Sequence, residues 1–119
     1  MKCWTKIKEW LGIFPSFGGI PRSSQWPKVR AEFLKTHPKC AVCGTTKDLA
    51  VHHKKPYFLY PELELDSRNL ITLCDGLSHH LIFGHLGSYL SYNKNIDEDS
   101  LIWWGKFSTR PVYKSKVVH

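Results

Sequence analysis

Two cysteines separated by two residues, Cys40 and Cys43, constrain the fold of this chain more than any other feature of its sequence. A Cys-x-x-Cys turn can supply two thiolates to one ion, and in many zinc sites a second pair of ligands follows later in the chain. The segment "CDGLSHH", about 30 residues further on, contains Cys74 and then His79 or His80 as the fourth ligand. We therefore predict a structural zinc ion, Zn²⁺, bound by Cys40, Cys43, Cys74 and His79.

A zinc site also suits the size of the chain, which has 119 residues and fits one small domain. The other common use of Cys-x-x-Cys is a redox pair, but the sequence lacks the βαβ pattern that accompanies such a pair. Cys3 has no partner in the zinc scheme. We expect it to be a free thiol in a reducing cytosol and to form an intermolecular disulfide under oxidising conditions.

The chain carries an excess of positive charge, which bears on the kind of molecule that it can bind. The chain has 17 Lys and Arg residues against 10 Asp and Glu residues, a net charge of +7 with histidine neutral. This balance favours polyanions such as nucleic acid, although positive charge also serves plain solubility. No stretch approaches the ~20 apolar residues of a membrane span, and the N-terminal residues are unlike a secretory signal. We therefore expect a cytoplasmic protein without a membrane partner.

Local patterns predict an α+β protein. "SSQWPKVRAEFLKTHP" is typical of a helix, whereas "LAVHH" and "NLITLC" favour strands. Helical periodicity runs from Ser78 to Tyr92, and the polar break "NKNIDEDS" separates it from a last segment, "LIWWGKF". The predicted organisation is an amphipathic helix and hinge at 1–21, a domain at 22–93, and a C-terminal segment at 94–119 that packs on the core or on a partner.

Two adjacent histidines, His52 and His53, end the first predicted strand. Successive side chains of a strand point to opposite faces, so these two imidazoles cannot serve one purpose together. One can bind a metal ion while the other does something else. A histidine that titrates near neutral pH can, for example, take a proton from a water molecule.

The ordered segments "CAVCG", "LAVHHKKP", "NLITLC" and "HHLIFGHLG" resemble the HNH endonucleases of the zinc-stapled type that is common in phages. The resemblance covers about residues 22–93. It implies a small ββα-metal core with a structural zinc site and flanking helices. It also implies a metal-dependent DNA endonuclease or nickase, phage-encoded and working in the host cytoplasm, with packaging proteins such as a terminase as candidate partners.

The resemblance further implies a role for each motif residue. His52 corresponds to a metal ligand, His53 to the general base and Asn69 to the residue that hydrogen-bonds the loop carrying the base. His80 corresponds to the second ligand of the catalytic ion, for which Mg²⁺ or Mn²⁺ is expected, with Ni²⁺, Co²⁺ or Zn²⁺ as alternatives. Residues 79 and 80 would diverge by about 100° on a helix, so that one can face the zinc and the other the catalytic ion.

His85 departs from the simplest spacing of the family, in which two metal histidines lie four residues apart. Five residues rotate a regular helix by about 140°, which predicts that His85 is turned away from an ion held by His80. It would bind the ion only if the helix were distorted near Gly84, and otherwise it could contact phosphate. We keep it as a site residue outside the predicted ligand set.

DNA contacts are expected from basic side chains around the site, which supply sequence-independent affinity. They are Arg22, Lys28, Arg30, Lys35, Lys54, Lys55 and Arg68. Trp103 and Trp104 can stack on bases, but core packing or a homodimer interface suits paired tryptophans better. The rival functions are a zinc-stapled module that binds DNA without cutting it and a thiol redox protein.

Overall fold

The computed structural model describes residues 21–109 of the chain. In chain order these residues form helix α1 (Trp26–Thr36), strand β1 (Leu49–His53), strand β2 (Leu70–Cys74), a π-helical turn (His80–Gly84) and helix α2 (Ile96–Thr109). The predicted α+β class is therefore confirmed. The amphipathic helix predicted near the N-terminus, Cys3, and residues 110–119 lie outside the described residues.

The two strands form one antiparallel sheet with His52 opposite Ile71 and His53 opposite Leu70. They are joined by a long connection, in which short 3₁₀ turns occupy Pro61–Leu63 and Ser67–Asn69. Because side chains alternate along a strand, the register divides the sheet into two faces. His53 lies on one face and His52 on the other.

Helix α1 covers the face that carries His53. Its Phe33 packs with Val51 of β1 and Leu70 of β2 in one buried cluster. The Thr72 hydroxyl donates a hydrogen bond of 2.7 Å to the carbonyl of His37, which follows the helix. Pro38 then prevents the helix from continuing. This packing holds the first residues of α1 beside the end of β1.

A second cluster covers the opposite face of the sheet. Ile71 and Leu73 of β2 pack with Val42 and with Ile96, the first residue of α2, around the buried cysteines. Phe107, near the other end of α2, also packs against this cluster. The segment "LIWWGKF" thus contacts the core through Phe107. Trp103 and Trp104 of the same helix remain 39% and 42% exposed.

The prediction of a helix from Ser78 to Tyr92 was wrong. Only His80–Gly84 is helical, in a π-helical turn, and the chain then reverses through Leu86 and Gly87, which have φ values of 54° and 88°. Two successive left-handed residues cannot belong to a right-handed helix. Of the apolar residues in this stretch, Phe83 packs against the core, whereas Leu86 and Leu90 are exposed.

The predicted polar break at "NKNIDEDS" was wrong over its second half, since α2 begins at Ile96. Asp97, Glu98 and Asp99 lie in the first turn of this helix, where negative side chains are stabilised by the unpaired N–H groups. The Asn93 side chain accepts a hydrogen bond of 2.9 Å from the backbone N–H of Asn95. These charged residues, whose sequence is typical of a solvated loop, therefore form the first turn of a helix. Among residues 21–109, no helix has the length and apolar character needed to cross a bilayer.

Candidate metal centres and catalytic cavity

The four predicted zinc ligands come together in the buried core. Cys40 and Cys43 lie in the turn before β1, Cys74 ends β2, and His79 precedes the π-helical turn. Their four ligand atoms all lie within 4.8 Å of one another. The turn needs Gly44, whose φ of 77° suits glycine and whose Cβ position lies only 2.7 Å from the Trp104 ring.

The distances within this cluster fit a tetrahedral zinc ion. Zn–S bonds of about 2.3 Å and Zn–N bonds of about 2.05 Å would place two sulfurs ~3.8 Å apart and a sulfur and a nitrogen ~3.6 Å apart. The sulfurs of Cys43 and Cys74 are 3.8 Å apart. His79 Nδ1 lies 3.4 Å from the Cys74 sulfur and 3.8 Å from the Cys40 sulfur. The Cys40/Cys43/Cys74/His79 cluster can therefore hold a metal ion such as zinc.

The pKa values of the three thiols are shifted in different directions. A hydrogen bond with the Cys43 side chain lowers the pKa of Cys40 to about 4. The same contact raises the pKa of Cys43, and burial raises the pKa of Cys74. The hydrogen bond and burial therefore favour the protonated forms of Cys43 and Cys74. A bound metal ion would offset this by stabilising their thiolates.

A second group of possible metal ligands consists of His52, His80 and His85, whose ligand atoms also lie within 4.8 Å of one another. The ring centroid of His52 is 5.1 Å from that of His80 and 4.7 Å from that of His85. The Nε2 atoms of His80 and His85 are 3.2 Å apart. Metal–nitrogen bonds of ~2.1 Å would separate neighbouring nitrogens by ~3.4 Å in a tetrahedral site and ~3.0 Å in an octahedral one.

Hydrogen bonds from the outer nitrogens orient two of these rings. His80 Nδ1 lies 2.9 Å from a carboxylate oxygen of Asp75, and His85 Nδ1 lies 2.8 Å from the carbonyl oxygen of Ser91. Both oxygens accept, so each Nδ1 carries the proton and each Nε2 of a neutral ring presents a lone pair. Two lone pairs at this separation repel each other unless a proton or a metal cation lies between them.

His52 has a donor atom that a cation could use. Within residues 21–109, its Nε2 is the one buried side-chain nitrogen or oxygen atom that has no hydrogen-bond partner. Burial, followed by the charges of His85 and His80, lowers the pKa of His52 to about 2. This imidazole is therefore neutral and able to donate its lone pair. The three histidines fit a metal ion on both geometry and donor chemistry.

The expectation that His85 points away from His80 was wrong. That expectation assumed a regular α-helix, in which five residues diverge by about 140°. In a π-helical turn the hydrogen bonds span five residues instead of four, so side chains five apart come onto one side. Gly84 permits this arrangement because it places the backbone against the His52 ring, about 3.0 Å from where a Cβ would lie.

His53 lies on the opposite face of β1 from His52. Its Nε2 donates a hydrogen bond of 2.9 Å to the carbonyl oxygen of Glu64, which leaves Nδ1 as the basic atom of the neutral ring. The Trp26 ring packs against it with centroids 4.5 Å apart. Burial lowers the pKa of His53.

Although they belong to different faces, His52 and His53 both line one cavity of about 260 Å³ at the end of the strand. His80 and His85 line the same cavity. Arg22 also lines it, with its guanidinium 4.2 Å from the centre of the Tyr57 ring. The Glu64 carboxylate accepts from the backbone N–H of Ser23, at 3.2 and 3.1 Å to its two oxygens, and so fixes the segment that carries Arg22.

Asn69 holds the connection that follows His53 and does not line this cavity. Its side-chain oxygen accepts from the N–H of Lys55 at 2.9 Å. Its amide group donates to the carbonyl oxygens of Lys55 and Leu63 at 3.0 and 3.2 Å. All of these contacts are with backbone, so Asn69 shapes the loop that follows His53.

The basic residues predicted to bind DNA do not form one patch. Arg22 is at the histidine cavity, whereas Lys54, Lys55 and Arg68 line a separate cavity. Lys54 forms an ion pair with Asp97 at 2.9 Å and Arg68 forms one with Asp66 at 2.9 Å. The remaining three residues are on α1: Lys28, Arg30 and Lys35.

Sequence reasoning missed the partners that orient the histidines. Asp75 directly follows Cys74, and a carboxylate beside a ligand segment is a recognisable signal of such a role. The carbonyl groups of Glu64 and Ser91 leave no signal in the sequence, because any residue has one. Comparison with protein-family models, curated proteins and solved structures finds no match. The function must therefore be inferred from the geometry of the site.

Proposed function

We propose that this protein is a metal-dependent DNA endonuclease or nickase of the HNH kind, which hydrolyses phosphodiester bonds. One observation carries the proposal. A group of three imidazoles suited to a metal ion and a fourth imidazole outside that group open onto the same cavity. Hydrolysis of a phosphodiester needs both parts, since charge must be neutralised on the phosphate while water loses a proton.

His53 is the general base in this proposal. Its Nε2 is held by the Glu64 carbonyl, so the ring cannot turn freely and Nδ1 is the atom that takes the proton from water. Asn69 keeps the following loop in place through the backbone of Lys55 and is a positioning residue. Arg22 lies at the cavity, where its guanidinium is placed to bind a phosphate oxygen.

His52, His80 and His85 would hold the catalytic ion. A divalent metal there would neutralise charge on the scissile phosphate and on the leaving oxygen. Imidazole ligands suit Zn²⁺, Ni²⁺, Co²⁺ or Fe²⁺, whereas Mg²⁺ prefers oxygen ligands. The three-histidine set therefore favours Zn²⁺, Ni²⁺, Co²⁺ or Fe²⁺ over the Mg²⁺ or Mn²⁺ that the resemblance gave as the first expectation.

A plasmid-cleavage assay tests the proposal. It follows the conversion of supercoiled plasmid to open-circular or linear DNA, with Mg²⁺, Mn²⁺, Co²⁺, Ni²⁺ and Zn²⁺ tested separately. We expect cleavage by the wild-type chain and a loss of ~10² to 10⁴ in rate for His53→Ala, with zinc content and DNA binding retained. His37→Ala is the matched control, because His37 lies outside the cavity and stacks on Phe33.

Equal rates for His53→Ala and His37→Ala would remove His53 from the role of base. A wild-type chain that binds the plasmid and cuts it with none of the metals would reject the nuclease. That result would support the zinc-stapled module that binds DNA without cutting it.

A further inference from the structure

The histidine cavity is the first of three neighbouring cavities. A second, of about 250 Å³, shares Phe58, His85 and Tyr89 with it. A third, of about 580 Å³, shares Tyr92 and Lys94 with the second. Because they share lining residues, the three cavities lie side by side, from the candidate catalytic residues to the connection between the strands. We call this row of cavities the groove.

The third cavity presents the same pair of groups twice. The Lys55 ammonium lies 5.4 Å from the centre of the Tyr60 ring, and the Lys94 ammonium lies 6.0 Å from the centre of the Tyr92 ring. Lys54 and Arg68 in the same cavity pair with carboxylates. Within residues 21–109, Lys55 and Lys94 form no such ion pair. Their charges are therefore available to an anion.

An ammonium beside an aromatic face offers what a nucleotide needs, since the cation attracts phosphate and the ring can stack on a base. The middle cavity adds the ring of Tyr89, which is 61% exposed. Bases of a duplex are already stacked and paired, so only an unpaired strand can place its bases on these rings. We infer that the groove binds single-stranded DNA that continues from the scissile phosphate.

This inference rests on the proposed function, because the strand that occupies the groove is the one whose phosphate enters the histidine cavity. It adds a substrate preference. DNA with an unpaired segment next to the cleavage position should bind better than a blunt duplex, since the duplex can use the charges of the groove but not its rings.

Fluorescence anisotropy of the full chain carrying His53→Ala, which binds without cutting, tests the groove. The probes are a labelled single strand of roughly 12 nucleotides and a blunt duplex of the same sequence. We expect Tyr92→Ala to weaken binding of the single strand roughly tenfold, and Tyr92→Phe to preserve it because the ring remains. Lys94→Gln should weaken binding and reduce the slope of log K against log salt by ~0.7.

Lys106→Gln is the matched control. Lys106 also lies over an aromatic ring, at 4.5 Å from the centre of Trp103, but it lines a different cavity. It is ten residues along α2 from Ile96, or about 15 Å. Circular dichroism and thermal unfolding confirm that each variant is folded.

The inference is overturned if Tyr92→Ala and Lys94→Gln bind the single strand as Lys106→Gln does, or if Tyr92→Ala weakens duplex binding as much as single-strand binding. Cleavage by the wild-type chain is measured separately. A chain that binds the strand through Tyr92 and Lys94 but cuts no DNA retains the groove and rejects the nuclease.

Discussion

At the scale of single residues, the adjacent histidines have different surroundings because successive side chains of a strand point to opposite faces. His52 joins His80 and His85, whereas His53 is held by a carbonyl oxygen beside α1. The two still reach one cavity because they end the strand, where nothing separates the faces. A doublet at a strand end can thus serve a metal ion and a base within one site.

The position of His85 predicts its importance for metal binding. His85→Ala should weaken metal binding at the histidine cluster as severely as His80→Ala, since each variant removes one of three ligands. The Nε2 atoms of His80 and His85 are adjacent, so both face the same ion position. Calorimetric titration of Ni²⁺ or Co²⁺, with the zinc at the cysteine cluster retained, measures this loss. The regular-helix expectation would be restored if His85→Ala bound the ion nearly as well as His37→Ala.

At the scale of elements, the π-helical turn decides which side chains can meet. The turn brings His80, its first residue, and His85, which follows it, to His52 of β1, and Gly84 lets the backbone approach the His52 ring. A regular α-helix would carry His85 around to another side. π-helical turns are rare, and here one coincides with a candidate ligand set.

Gly84→Ala tests this close approach. Its Cβ would lie 3.0 to 3.1 Å from three atoms of the His52 ring, so the ring must shift by a few tenths of an ångström. We expect weaker Ni²⁺ or Co²⁺ binding at the histidine cluster while the zinc content stays unchanged.

Gly105→Ala is the control for Gly84→Ala. It adds the same methyl group where nothing lies within 4 Å, inside α2. It should stabilise the protein by roughly 0.5 to 1 kcal/mol and leave metal binding intact. Similar metal affinities for both variants would show that the contact with His52 is unimportant.

At the scale of the whole molecule, a two-stranded sheet is too small to be stable alone. Helix α1 covers one face and the cluster around Ile96 covers the other. The cysteine cluster joins the turn before β1, the end of β2 and the segment before the π-helical turn. A metal ion there would connect parts of the chain that are distant in sequence, which places much of the folding free energy in that one site.

Cys40→Ser should therefore lower the melting temperature by about 10 °C or more and remove the bound zinc. Metal analysis and calorimetric unfolding measure the two effects. His80→Ala removes a ligand from the other cluster and should change the melting temperature much less. A zinc-free chain that unfolds at the wild-type temperature would contradict a structural role for the cysteine cluster.

The sequence by itself determined the features that depend on short spacing. Cys40 and Cys43 share a turn whatever surrounds them, and alternation along β1 separates His52 from His53. The pairing of these segments with Cys74 and His79 followed because few other residues could complete a zinc site.

Only the tertiary structure decided the rest. Whether residues 78–92 formed a helix depended on the reversal at Leu86 and Gly87 and on packing against β1, and local periodicity contains neither. The position of His85 followed from that distortion. The orientation of His53 followed from a hydrogen bond to a backbone carbonyl group, which every residue possesses. The groove beyond the histidines is built from segments far apart in the chain, so it exists only once the sheet, the connection and α2 have packed together.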